Sequence, residues 1–151
     1  MNLAPQPATS RDSTIVRLDR VRRPFPLLPS RHGHKEWLHF CVLGRDIDLL
    51  VNFSLSDPPP RDRGTTAARV SVLVRAGEWD GDVETVPAST VRISVGRVDL
   101  RFGSSTLRFH DGVYTVTARL DARAIAVDLV LHPETQPIRA PNIPRPDGPP
   151  E

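Results

Sequence analysis

Apolar and polar residues alternate with period two through most of the chain. In "DIDLLVNFSLS", Ile47, Leu49, Val51, Phe53 and Leu55 fall on one face, and Asp46, Asp48, Leu50, Asn52 and Ser54 on the other. "YTVTARL" sets Tyr114, Val116, Ala118 and Leu120 against Thr115, Thr117 and Arg119. "AIAVDLVL" aligns Ile125, Val127, Leu129 and Leu131 in the same way. Such alternation marks strands that bury one face. No stretch sustains the i, i+3, i+4, i+7 spacing of an amphipathic helix. The pattern predicts strands near 14–18, 36–43, 46–56, 68–76, 90–95, 97–102, 105–109, 113–120 and 124–132. Short turns connect them at Gly44-Arg45, Gly96-Arg97, His110-Asp111-Gly112 and Asp121-Ala122-Arg123. The proline-rich "DPPPRDRGTT" at 57–66 is too long for a tight turn. Strands joined in this order form an antiparallel up-and-down meander, and closure into a barrel removes exposed edges. The expected fold is all-β, a lipocalin-like β-barrel or strongly curled sheet.

Proline places the ends of this domain. The sixteen prolines cluster outside the alternating segments, and six lie in 137–151, which therefore makes neither helix nor central strand. The expected organisation is a flexible tail at 1–12, one β domain at 13–136, and at 137–151 a proline-rich tail or a linker to an absent second domain. The N-terminus has no apolar leader and no run is long enough to span a bilayer, so a cytoplasmic chain without a transmembrane segment is expected.

Charge narrows the function classes. Twenty basic residues oppose eighteen acidic ones, and the signs interleave, as in Arg61-Asp62-Arg63. Aromatic residues are 5% of the chain. A nucleic-acid surface needs a one-signed stripe with stacking aromatics, so no nucleic-acid partner is expected. Arg17, Arg20, Arg22 and Arg23 read as a solvated N-terminal segment, and Glu78, Asp80, Asp82 and Glu84 around Trp79 as a solvated acidic loop. Cys41 is the only cysteine, which rules out an internal disulfide and a cysteine-based zinc site.

"HGHKEWLHFCVLG", residues 32–44, concentrates the remaining chemistry. His32, His34, Glu36 and His39 are donors, but their spacing matches no strong metal motif, and neither a metal nor another cofactor is expected. No serine sits in a Gly-x-Ser-x-Gly elbow, and "RFGSST" at 101–106 lacks the helix that would cradle phosphate. Residues 36–43 alternate without a plainly polar face: Glu36, Leu38, Phe40 and Val42 oppose Trp37, His39, Cys41 and Leu43. A strand of this kind is expected to be covered on both sides. With Asp48 and Asn52 on the next strand, it supplies the candidate ligand-binding set Glu36, Trp37, His39, Asp48 and Asn52.

"GHKEWLHF", "DIDLLVNFSL", "VLVRAGEWDGDVE" and "LRFHDGVYTVTARL" together resemble the carotenoid 1,2-hydratase (hydroxyneurosporene synthase) family of lipocalin-like proteins. The resemblance runs over about residues 25–143 and rests on His34, Glu36 and Trp37, then on Phe109, Asp111, Gly112 and Tyr114. It departs at Leu38, where many relatives carry an aromatic residue. Family members have two lipocalin-like domains, and this chain matches the first. The His- and Asp-rich segment with Asn-Trp-Gly that is credited with hydration belongs to the second, so no residue here is assigned as catalytic. The resemblance implies an N-terminal domain that binds a long apolar isoprenoid or polyketide and is not catalytic alone. Its partner would be a second lipocalin-like domain or a second copy in a homodimer. The alternatives are a stand-alone apolar-ligand-binding module and a truncated remnant.

Overall fold

A computed structural model describes residues 10–21, 35–57 and 66–137. Among the described residues nine strands follow one helix: α1 (Ser10–Asp19), β1 (Lys35–Leu43), β2 (Asp48–Ser56), β3 (Ala67–Ala76), β4 (Glu78–Val86), β5 (Val91–Ile93), β6 (Asp99–Phe102), β7 (Ser105–His110), β8 (Val113–Leu120) and β9 (Ile125–Leu131). Every pairing is antiparallel between chain neighbours, giving a β1-β2-β3-β4 sheet and a β5-β6-β7-β8-β9 sheet. The all-β meander is therefore present. Among the described residues β4 does not pair with β5, nor β9 with β1, so the two sheets do not close into a barrel.

The inner faces of the two sheets form one core. Val51, Phe53, Val70 and Val72 come from the first sheet, and Leu100, Phe102, Leu107, Val116, Ala118 and Leu120 from the second. Phe53 and Phe102 meet edge to face across the gap, with ring centroids 5.6 Å apart. The odd-numbered face of 49–55 is the buried one, as the alternation predicts, although Ile47 lies in the β1–β2 turn and is exposed. The expected turns form as well. Asp111 (φ 51°) and Gly112 (φ 77°) both take the left-handed conformation of a two-residue hairpin loop, for which Asp-Gly is a favoured pair.

Two elements differ from the sequence expectation. Residues 14–18 lie within α1, which begins at Ser10, inside the stretch read as a tail. The run Thr14-Ile15-Val16 favours extended structure, but Ile15 is buried in the core. Asp12 in the first turn and Arg17 in the last also suit the helix dipole. The Arg11 guanidinium donates to the Pro133 carbonyl at 2.8 Å, fastening the helix to the chain beyond β9. The second difference is the acidic segment, which is β4 rather than a loop. Its acids alternate at 78, 80, 82 and 84, and all share the face of Val70, Val72 and Val74 on β3. At an edge strand these inward acids find polar partners. Glu84 accepts from the Asp121 backbone N–H at 3.0 Å, and Asp80 lies 3.4 Å from Arg123. Charges placed inward on an edge also discourage further strand addition.

Candidate functional site

The strand register separates the five candidate residues. In an antiparallel pair, facing residues project to the same side of the sheet. Glu36 pairs with Leu55 and lies on the inner face. Trp37, His39, Asn52 and Asp48 lie on the outer face, where His39 and Asn52 are direct register partners. Asp48 stands four residues from Asn52 along β2, about 13 Å at the rise of a strand. There it is buried, ion-paired with its β3 register partner Arg75, and accepts from the Gly44 N–H at 3.2 Å. Its polar groups are occupied within the sheet.

A cavity of about 330 Å³ opens between the sheets beside β1. Phe53, Leu55, Leu100 and Phe102 form its floor, and Val21 and Leu38 add apolar wall. Its charged lining comes from Asp19, Arg20, Lys35 and Glu36, and Trp37 completes the rim. Of the five candidates the cavity gathers two, Glu36 and Trp37. Asp19, Arg20, Leu100 and Phe102 were not legible as site residues, because only tertiary packing brings α1 and β6 beside β1. The strand period did identify Phe53 and Leu55 as inward-facing.

The lining is built from the core outward. Tyr114 on β8 is buried and packs edge to face on Phe40 of β1, with centroids 5.4 Å apart, and against Phe109 at 4.6 Å. Its hydroxyl donates to the Asp19 carboxylate at the end of α1. Burial first, then that hydrogen bond and the carboxylate charge, push the phenol above its usual range. Asp19 is thus the acceptor that ties the end of α1 to β8.

The outer face is a shallow trough lined by Trp37, His39, Leu50, Asn52, Leu73 and Val83. The expectation that β1 is covered on both sides is not met among the described residues: Trp37 is 58% exposed and Val83 51%. His39 Nε2 lies 3.4 Å from Cys41 Sγ, and the Asn52 Oδ1 is shielded yet has no donor among the described residues. No three His, Cys, Asp or Glu side chains converge as metal ligands among the described residues. His32 and His34 lie outside those residues, as do Arg22 and Arg23, while Arg17 and Arg20 are exposed. No helix among the described residues is long and apolar enough to cross a membrane.

No protein-family model matches the chain, and no curated protein and no solved structure shows significant similarity to it.

Proposed function

We propose that the chain is a lipocalin-like ligand-binding domain, comparable to the N-terminal half of a carotenoid 1,2-hydratase-like protein. In this reading it holds one end of an isoprenoid or polyketide chain between its sheets and performs no hydration alone. The observation that carries the reading is the inter-sheet cavity, floored by Phe53, Leu55, Leu100 and Phe102, with charged groups from α1 and β1 at its edge among the described residues. Such a site is concave, mostly apolar and bordered by a few polar groups, as small-molecule sites generally are.

The test is to incubate the purified chain with an acyclic carotenoid, follow tryptophan emission and look by mass for a water adduct. Quenching without an adduct is the expected result. Turnover that disappears in Glu36→Gln moves the chemistry into this domain and overturns the reading. The outer face of the first sheet favours a second β domain as partner over a stand-alone module. It exposes Trp37, Leu73 and Val83 around the shielded Asn52 oxygen. Adding a second-domain protein and recovering hydration supports that assignment, and a stable monomer that ignores such a domain removes it.

A further inference from the structure

The strand period sorts charge on the second sheet. Its inner face carries Leu100, Phe102, Leu107, Val116, Ala118 and Leu120. The alternate residues Arg92, Asp99, Arg101, Arg108, Arg119 and Asp128 therefore project outward. Two of these arginines meet the two aspartates. Arg108 pairs with its register partner Asp99 at 3.2 Å, and Arg119 with Asp128 at 2.7 Å. The other two, Arg92 on β5 and Arg101 on β6, are register partners of each other. Side chains directly opposite on one face have β-carbons about 4.5–5.5 Å apart, and like charges there are destabilising.

The two guanidinium groups do not turn apart. Arg92 Nη1 donates to the Ser89 and Val91 carbonyls at 2.9 and 2.8 Å, and Arg101 Nε donates to the Gly103 carbonyl at 3.1 Å. These anchor points adjoin, because the Gly103 N–H donates to the Thr90 carbonyl at 3.3 Å. Both side chains converge on one shallow pocket, lined among the described residues by Ser89, Thr90, Arg92, Arg101 and Gly103. The lining holds two cations and no carboxylate. Backbone carbonyls orient a guanidinium but leave its full charge in place. Each guanidinium has five N–H donors in a planar fork. The carbonyls engage only Nη1 of Arg92 and Nε of Arg101. The outward acid on β6, Asp99, lies two positions from Arg101 and is occupied by Arg108 and by the Ser94 hydroxyl at 3.4 Å.

We propose that this pocket binds a doubly charged phosphoryl group, either inorganic phosphate or the end of a monoester. Two arginine forks suit the three terminal oxygens and nearly double charge of such a group. Bound between Arg92 and Arg101, it turns their repulsion into two attractions. The Ser89 hydroxyl supplies a further donor at the rim. A carboxylate offers the same two cations a single charge. The site lies on the outer face of the second sheet, and it stands independently of any ligand between the sheets.

Nuclear magnetic resonance of backbone amides and arginine side chains tests this on the full chain at about pH 7.5, where a monoester with a second pKa near 6 is dianionic. Phosphate, O-phosphoserine or acetate replaces sodium chloride at constant ionic strength, which holds screening fixed. Phosphate and O-phosphoserine are expected to shift Thr90, Arg92, Arg101 and Gly103, including both arginine Nε–H signals, along saturable curves. Acetate should bind about fivefold more weakly, the difference that one partly exposed charge pair supplies. Arg92→Gln and Arg101→Gln should each weaken phosphate by about fivefold, and together they should remove the saturable shifts. Both side chains are exposed, so the rest of the spectrum should stay that of the unaltered chain and show that the variants fold. Arg45→Gln, in the exposed β1–β2 turn, should leave the affinity within about twofold. Tighter binding of phosphate than of O-phosphoserine marks a site for the free anion, the reverse marks a monoester site, and either supports the proposal. Phosphate spectra identical to those in chloride overturn it. So does a phosphate affinity that survives the double substitution, or acetate binding equal to phosphate.

Discussion

Phe53 and Asp48 stand five positions apart on β2 and stabilise the protein by different means. Phe53 is 2% exposed and bridges the sheets through Phe102. Phe53→Ala should cost about 3–5 kcal/mol, because it removes a buried aromatic and leaves a cavity. Asp48 contributes through polar pairing, as acceptor for the Gly44 N–H and partner of Arg75. Asp48→Ala should cost about 1–3 kcal/mol, nearer the lower figure, because the half-exposed Arg75 recovers water when its partner goes. Urea unfolding with unchanged m-values would measure both. A neutral Asp48→Ala would show that the ion pair is not formed in solution. The alternation of 46–56 made Phe53's face legible. Asp48 reads from the same pattern as one more polar-face residue, since its burial depends on Arg75, twenty-seven residues later, falling opposite it in the register.

Among the elements, β4 shows where a period-two reading loses its grip. Strands are usually recognised by apolar alternation, and β4 alternates acids instead, with one core-facing apolar residue, Val86, at its end. The regular spacing of Glu78, Asp80, Asp82 and Glu84 was the available signal. Gly81 on β4 leaves no room for a side chain against β3. Its φ is +148°, and a β-carbon there would lie 2.0 Å from the Val72 carbonyl oxygen. Gly81→Ala must therefore push the edge strand away, at about 1–3 kcal/mol for backbone strain of this kind. Amide exchange should accelerate along the β3–β4 ladder and stay unchanged in the β7–β8 hairpin. Equal protection in both would mean that β4 absorbs the side chain without moving. A contrasting case is Ala124, left-handed at φ 53° after the Asp121–Arg123 turn. Ala124→Gly should stabilise by about 0.5–1 kcal/mol by relieving that conformation, seen as a higher midpoint of thermal unfolding.

At the scale of the molecule, periodicity shows which face of each strand is buried but not which strands pair. The open boundaries between β4 and β5 and between β9 and β1, and the helix beside β1 and β8, depend on contacts far apart in sequence. Tyr114 carries much of that long-range organisation. It touches Phe40 of the first sheet and Phe109 of its own, and it donates to Asp19 on α1. It therefore links stability to pH in a definite direction. In the unfolded chain the phenol ionises near pH 10. In the folded chain burial and the Asp19 carboxylate hold it protonated to higher pH. The stabilisation is fully present below the unfolded value. It is lost progressively as pH rises above about 10, because the unfolded state then gives up a proton that the folded state retains. Tyr114→Phe removes the titrating group and should flatten that alkaline decline, even though the loss of the Asp19 hydrogen bond lowers stability at neutral pH. The measurement is urea unfolding of both proteins from pH 8 to pH 11. Parallel alkaline declines would assign the pH dependence to other groups and would mean that Tyr114 is not held protonated by Asp19 in the folded protein.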